Sequence, residues 1–534
     1  MSFTDKLFAP LDKTLERFDP KWQAANGKGG LRSRYYDKTG VAKWREGRGT
    51  KDTLVDYAAW MKNLVSMVLM VGSAPIPCLK GFWEYRWMGS YLGTFMFIDR
   101  LFEGYRGTEL RIAHMHMHGI VHNLTKRIAF ILSNDVRLGG NGIDNIVTHD
   151  ETITPLFLTG FKELTAIPLQ TLPEFIICDI DQHIEPYYID VAESFGLPAD
   201  VCSRCAAETG VALDDAFPLV GKVMLSTNMP CNASEATSMF QRRRNNKPDF
   251  PITLAMQHNE PEALPYSRQV LKDSIAFVEE QYGIKYDWNE LFKHAELMNE
   301  QNTIELEKWD LFKTPYSPLT GISETLYRLY EWQSVNGTDP YFNGIDRKVI
   351  EIMRECYKNK YQPYGGKTRH RAFLWGPSAV YYCDFPTWCQ NCWGINIVLN
   401  MDSTMGYNMI NTEDPEIAMD DLTRFTEKAC MRHMAVGGWD NVNDVWNWAK
   451  NFNCDMVLFN DNVACKGMNG VHALMEEQAR DFGFHFIFVE HDLQDSRTIS
   501  RQDMRKCVNN YMSVVLGEEP LDPTIVEFDD SEAY

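Results

Sequence analysis

Four cysteines are placed so that their thiols could converge on one site. Cys202 and Cys205 lie close together, Cys231 follows the short apolar run KVMLS, and Cys465 follows the apolar run MVLF. Cysteines that leave strand ends in two separate regions can meet across a cleft, because sites in open α/β sheets form at the carboxyl ends of strands. Converging thiolates in a reducing compartment are typical of a metal or iron–sulfur site.

The composition indicates a globular protein of a reducing compartment. The 534 residues include 13 scattered cysteines, an odd number that argues against a disulfide framework. We expect a cytoplasmic protein with no membrane partner, because the sequence has neither a signal-peptide pattern nor a membrane-spanning apolar run. The net charge of −20 argues against nucleic acid as a partner. No GxxxxGK[ST] motif is present, so we do not expect ATP hydrolysis through a P-loop.

Short apolar runs alternate with amphipathic helices from about residue 154 onward. Predicted strands are EFIICDI, KVMLS and FPITLAMQH, then HRAFLWGP, INIVLNMDS, CDMVLFN and FHFIFVEHD. This alternation on both sides of a helical connector predicts an α/β protein with two doubly wound parallel sheets. The predicted domains are a helix-rich N-terminal extension (1–150), a first α/β domain with a helical hairpin (151–312), and a connector with a second α/β domain (313–534).

Local signals predict where some of these helices begin and end. Ser234 is expected to cap the helix after KVMLS. In the hairpin, Gly283 separates two helices, and Asp287 is expected to cap the second.

A group of histidines near residue 118 offers a second set of potential ligands. His114, His118 and His122 recur every fourth residue and share one helical face, with His116 opposite. No neighbouring carboxylate completes a zinc motif, and the alternating Met and His residues also suit a packed interface. We favour structural packing, with a metallohydrolase as the alternative.

A third group of cysteines lies in YYCDFPTWCQNCWG and consists of Cys383, Cys389 and Cys392. The CxxC spacing of the last two could ligate a metal, but no second pair accompanies it. A structural role is therefore the expected one.

Several stretches resemble the cluster-bearing subunits of 2-hydroxyacyl-CoA dehydratases and ATP-dependent benzoyl-CoA reductases. They are AESFGLPADVC, LSTNMPCNASEATSMF, the block Glu279 to Asp310 with LMNEQN, CDMVLFNDNVACKGMNG, and FIFVEHDLQDSRTISRQDMRKCVNNYM. Together they span roughly residues 175–520, and their order and spacing are more specific than any single cysteine. The N-terminal region does not align with the family.

The resemblance implies that Cys202, Cys231 and Cys465 ligate a [4Fe-4S] cluster between two Rossmann-like domains. Cys205 competes with Cys202, which we prefer because AESFGLPADVC matches the stretch with the family's first ligand. A further family element carries Asp492, Asp495 and Arg497. Helix capping and ion pairing explain these three at least as well as catalysis, so no catalytic residue is assigned.

The resemblance also implies a reaction, a lyase that eliminates water from a (R)-2-hydroxyacyl-CoA. One-electron reduction of the thioester carbonyl would give a ketyl radical anion, which expels hydroxide and acidifies the β-hydrogen. A separate ATP-hydrolysing iron–sulfur activator would inject the electron, in agreement with the missing P-loop. A smaller homologous cluster-bearing subunit is the implied heterodimer partner, and a flavin is a further candidate cofactor of the complex.

Two alternatives use the same cysteines and stay open at this point. The chain could be an oxidoreductase subunit of an ATP-dependent benzoyl-CoA reductase, or a non-catalytic subunit that relays electrons or stabilises its partner. The substrate acyl group cannot be chosen from the sequence.

Overall fold

The architecture comes from a computed structural model of the chain. It describes residues 75–84, 107–150, 152–168, 185–214, 221–227, 232–255, 260–318, 322–332, 338–382, 384–400, 407–427 and 439–527, together with Ala58, Val65, Leu69 and Ser334. The described helices include none that is both long and apolar enough to cross a membrane.

Two four-stranded parallel sheets organise the described residues. The first contains β1 (Ile146–His149), β2 (Thr165–Pro168), β3 (Val223–Ser226) and β4 (Asp249–Pro251). The second contains β5 (His370–Trp375), β6 (Ile395–Asn400), β7 (Met456–Asn462) and β8 (His485–His491). The strand orders are β2-β1-β3-β4 and β6-β5-β7-β8, so both sheets follow the same order along the chain. This is the beginning of the doubly wound flavodoxin-like order.

The helices follow in chain order. They are α1 (Pro75–Glu84), α2 (Gly107–Asn134), α3 (Glu185–Ser194), α4 (Ser203–Leu213), α5 (Asn232–Asn245), α6 (Ala263–Tyr282), α7 (Trp288–Phe312), α8 (Ile322–Trp332), α9 (Pro340–Lys358), α10 (Phe385–Trp393), α11 (Pro415–Glu427), α12 (Trp439–Asn451), α13 (Lys466–Asn469), α14 (His472–Phe482) and α15 (Arg501–Asn510). Helices α6 and α7 follow one another along the chain, but α6 packs against α11 and α7 packs against α9. Helix α2 packs against α8 and α9 of the connector.

The predicted α/β character with two parallel sheets is confirmed. In the second sheet, β6 and β7 are buried along their whole length, as expected for parallel strands covered on both faces. The junction between α6 and α7 also follows its local signals. Gly283 ends α6 in the left-handed region at φ 69°, and the Asp287 side chain accepts a hydrogen bond from Asn289 N at 2.9 Å.

Two sequence predictions for the first domain need correction. Ser234 is not a cap, because α5 begins at Asn232, which places Ser234 inside the helix. Strand β1 lies within the predicted helical extension, so the first sheet begins before residue 151. The strand predicted at 174–180 lies outside the described residues.

Helix α4 approaches α3 closely because its packing face carries small residues. Ala206, Ala207 and Gly210 are buried. A Cβ atom at Gly210 would lie 1.9 Å from the carbonyl oxygen of Tyr188 in α3, a distance that no side-chain rotation could relieve. The position of α4, which begins directly after Cys202, therefore depends on this glycine.

We expect Gly210→Ala to lower the free energy of unfolding by about 1–3 kcal/mol, because α3 and α4 must move apart. The measurement is the midpoint of urea unfolding followed by circular dichroism. Gly344→Ala is the matched control, since Gly344 lies within α9 and its Cβ would meet nothing within 4 Å. That change should be neutral or stabilising by up to about 1 kcal/mol. Equal midpoints for the two variants would contradict the packing argument.

Candidate functional site

Each of the three predicted ligands directly precedes a helix. Cys202 is followed by α4 and Cys465 by α13. Cys231 itself lies outside the described residues, but α5 begins at the next residue, Asn232. The backbone N–H groups at a helix start favour negative charge, so this placement suits thiolates.

Asn462 connects the cysteines of the two domains. It is the last residue of β7 and is buried. Its side-chain Nδ2 donates a hydrogen bond to Cys202 Sγ at 3.5 Å, and its backbone oxygen accepts one from Cys465 N at 2.7 Å. Its Oδ1 accepts a hydrogen bond from Ala464 N at 3.3 Å, which orients the amide. Asn462 therefore contacts both Cys202 and Cys465, and their role as ligands stays a prediction.

Cys205 occupies the same buried group as Cys202. The group consists of Cys202, Cys205, Ala233 and Leu493, with Val201 packed against it. Ala233 lies two residues after Cys231, so the start of α5 also belongs to this neighbourhood. The choice between Cys202 and Cys205 as a ligand stays a prediction.

The surroundings of Cys202 favour its thiolate form. The largest influence is a hydrogen bond from Cys205, which lowers the pKa of the Cys202 thiol. Burial and the charge of Asp492 act in the opposite direction, whereas hydrogen bonds from Arg204 N–H and the Asn462 amide lower the pKa further. The net result is a pKa below the ordinary value, and the thiolate is the form that binds metals.

Three polar contacts hold the segment around Cys202 against the second domain. Ser203 Oγ donates a hydrogen bond to Asp492 Oδ1 and accepts one from Gln494 N at 3.1 Å. Lys466 Nζ lies 2.8 Å from Asp200 Oδ2. Burial raises the pKa of Asp492, although the hydrogen bonds that its carboxylate accepts from Ser203, Gln494 N and Asp495 N act against the rise. Cys202 lies on one side of this contact and Cys465 on the other. The geometry of the predicted site therefore depends on how the two domains dock.

Asp492, Asp495 and Arg497 have structural roles in the loop after β8. Asp492 Oδ1 accepts hydrogen bonds from Gln494 N at 3.0 Å and Asp495 N at 2.8 Å, which caps the turn. Arg497 pairs with Asp495 at 2.7 Å and with Asp190 of α3 at 3.1 Å. Capping and ion pairing therefore account for the contacts of all three residues, which supports the structural interpretation over the catalytic one.

The CxxC pair is part of the core of the second domain. Cys389 and Cys392 lie in α10 with no exposed surface. Burial raises the pKa of Cys392 to about 12 and raises that of Cys389 as well. Both side chains pack in the buried core of the second domain, which supports the structural role expected for this pair. Cys383 lies outside the described residues.

The histidines of α2 whose contacts are described pack against the connector. His116 stacks on Tyr327 with ring centroids 4.3 Å apart, and its Nε2 lies 3.3 Å from a carboxylate oxygen of Glu324. His122 stacks on Tyr341 at 4.0 Å. These contacts support the packing interpretation. The side chain of His114 lies outside the described residues.

Sequence reasoning missed Asn462. The signal available was a polar residue at the end of a buried strand, three residues before Cys465. Such residues often face a site at the carboxyl edge of a parallel sheet. The sequence could not show that this amide reaches a cysteine of the other domain.

The comparison with protein families agrees with the cysteine geometry. The family model described as "2-hydroxyglutaryl-CoA dehydratase, D-component" matches residues 174–510. The chain belongs to this family. The suspected resemblance is thus confirmed, and the match spans both cysteine regions while leaving the N-terminal region outside it. Members of the dehydratase D-component family are by description components of a larger enzyme. No curated protein matches the chain.

Cys202 in the metal-free protein should react with iodoacetamide at a lower pH than an ordinary thiol. Because its pKa is lowered, the midpoint of its alkylation rate should lie below about 8.5. Asn462→Ala should raise that midpoint, since the thiolate loses a hydrogen-bond donor. Peptide mass spectrometry across a pH series measures both values.

Cys507 provides the internal control for this experiment. Burial raises the pKa of its thiol, so its midpoint should lie above that of Cys202 and should not respond to Asn462→Ala. Identical midpoints for the two cysteines would show that the hydrogen bonds around Cys202 do not favour the thiolate.

Proposed function

We propose that the chain is the iron–sulfur component of a 2-hydroxyacyl-CoA dehydratase, a lyase that removes water from a (R)-2-hydroxyacyl-CoA. In this proposal Cys202, Cys231 and Cys465 ligate a [4Fe-4S] cluster between the two α/β domains. The observation that carries the proposal is the contact of Asn462 with both Cys202 and Cys465 in a member of the dehydratase family.

The residues present fit such a cluster. Cys202 has a lowered thiol pKa, the neighbouring residues Ala233 and Leu493 are apolar, and α5, which begins directly after Cys231, contributes Ala233 to the same group. Thiolates in a buried, largely apolar setting are the usual ligands of iron–sulfur clusters. When bound, a low-potential cluster with one non-cysteine position would supply one-electron and Lewis-acid chemistry to a thioester.

The chain's own residues would tune and shield the site. The Asn462 amide places an N–H donor on the Cys202 sulfur, and hydrogen bonds to cluster sulfurs are one of the factors that set a reduction potential. Leu493 and Ala233 limit access of water to the same sulfur. The Ser203–Asp492 contact keeps the Cys202 segment docked on the second domain.

The remaining components of the system follow from the family as expectations. We propose a ketyl radical mechanism started by a separate ATP-hydrolysing iron–sulfur activator, since the sequence has no P-loop. A smaller homologous subunit would complete a heterodimer, and a flavin in the complex belongs to the same proposal. We infer a cytoplasmic location from the reduced, scattered cysteines.

Anaerobic purification followed by iron and sulfide analysis tests the ligand set. We expect about four iron and four sulfide per chain, the content of one [4Fe-4S] cluster. Cys202→Ala, Cys231→Ala and Cys465→Ala should each lose most of this iron. Cys205→Ala should retain it, because Cys205 is assigned as a hydrogen-bond donor rather than a ligand.

Cys507→Ala is the matched control for these variants, because Cys507 is a half-buried cysteine of the second domain. It should keep the full iron content. Circular dichroism shows whether each variant is folded. Retention of iron in all three ligand variants would refute the proposed cluster site, and loss in Cys205→Ala alone would move the first ligand to that residue.

Electron use distinguishes a dehydratase from a ring reductase. The complex, with a family activator, ATP and a measured amount of reductant, is offered 2-hydroxyacyl-CoA thioesters or benzoyl-CoA. A dehydratase returns its electron, so we expect many products for each electron supplied. Cys465→Ala should abolish turnover. Product formation in fixed proportion to the reductant, with benzoyl-CoA as substrate, would instead identify a reductase subunit.

A further inference from the structure

The amino edge of the second sheet carries a separate group of potential ligands. His370 is the first residue of β5, His485 is the first residue of β8, and Asp455 directly precedes β7. Because β5, β7 and β8 are adjacent in the sheet, the three residues meet at one edge. Cys465 follows the opposite, carboxyl end of β7, so a strand length separates this group from the cysteine site.

The three side chains are close enough to share one ion. One nitrogen or oxygen from each of His370, Asp455 and His485 lies within 4.8 Å of the others. Among the described residues, this is the one grouping of His, Cys, Asp and Glu side chains that meets that spacing. His370 Nδ1 is 2.8 Å from Asp455 Oδ2, and the two imidazole rings lie edge to face with centroids 5.7 Å apart.

The backbone fixes the three positions relative to one another. His485 N donates a hydrogen bond to the Asp455 carbonyl at 2.9 Å, and Asp455 N donates to the Arg371 carbonyl at 3.0 Å. Arg371 N donates to Asp455 Oδ1 at 2.7 Å, which leaves Oδ2 directed at His370. The group is thus built on paired strand ends and needs only side-chain rotation to adapt to an ion.

Glu518 supplies the outer contact that metal-binding histidines usually have. His370 Nε2 lies 2.9 Å from Glu518 Oε1, and Arg369 holds the same carboxylate at 3.2 Å. A histidine that ligates through one ring nitrogen almost always donates its other N–H to a carboxylate, carbonyl or water. With Nε2 assigned to Glu518, His370 Nδ1 is left to face Asp455 and His485.

We propose that His370 Nδ1, Asp455 and His485 bind one Zn²⁺ ion, with water as the fourth ligand. Two histidines and a carboxylate form a common tetrahedral zinc set. Bonds of about 2.0–2.1 Å to these atoms would set ligand-to-ligand distances of about 3.3 Å, which lies within the 4.8 Å span of the group. The ion would fasten the amino ends of β5, β7 and β8 and, through Glu518, the C-terminal segment.

Zinc binding to the full-length protein tests this inference. The protein is incubated with Zn²⁺ alone, passed through gel filtration, and analysed for zinc and iron by mass spectrometry, and titration against a chromogenic chelator gives the affinity. We expect one zinc per chain, and we expect His485→Ala and Asp455→Asn each to weaken binding at least 10-fold. Co²⁺ in place of Zn²⁺ should give the visible absorption of a tetrahedral site.

Matched variants locate the ion. Asp481→Asn changes an exposed carboxylate of the same domain and should leave zinc binding unchanged. Zinc held by the cysteines would be lost in Cys465→Ala and kept in His485→Ala, which would overturn the proposal. Absence of bound zinc in the unmodified protein would also overturn it and leave the group as an ion-pair clamp only.

The zinc inference and the proposed function can fail separately. Iron content in the same samples reports on the cysteine site alone, and His485→Ala should leave it unchanged. Circular dichroism shows whether His485→Ala is folded. If that variant does not fold, the test uses Asp455→Asn instead. This change keeps the shape of an exposed side chain.

Discussion

The contact of the Asn462 amide with the Cys202 sulfur is the interaction on which the candidate site depends. Cys202 belongs to the first domain, while Asn462 and Cys465 follow a strand of the second domain. Neither domain could form this arrangement alone. The Ser203–Asp492 hydrogen bond and the packing of Leu493 against Cys202 serve the same end, because each fixes the docked position of the Cys202 segment. The dehydratase family match spans both sides of this contact.

The sequence predicted strands where burial leaves a continuous apolar run. CDMVLFN and INIVLNMDS became β7 and β6 because both of their faces are covered. The sequence did not predict β1. Its four residues IVTH include two polar ones and follow a long helix closely, so they form no distinct apolar run. The start of α5 was also displaced, since Asn232 and Ser234 both suit a helix start and only tertiary packing chooses between them.

The sequence indicated which cysteines to examine but not the residues that surround them. The order and spacing of five sequence stretches carried the family resemblance, and Asn462 contacts both Cys202 and Cys465. The contact of Asn462 with Cys202 and the grouping of His370 with His485 were not foreseeable. These are common residue types, and they become neighbours only when the fold brings distant segments together. Cys202 and Cys205 share one buried group, so residue type and burial do not separate them.

The division of the site between two domains has a consequence for biosynthesis. Domains generally fold as units while the ribosome is still adding residues. The first α/β domain is complete long before Asn462, Cys465 and Asp492 are translated. During that interval Cys202 lacks the partners that later cover it, and its thiol is open to oxidation or to the wrong metal. If the proposed cluster forms, delivery of iron would wait for the last part of the chain, and the nascent protein would need a reducing environment until then.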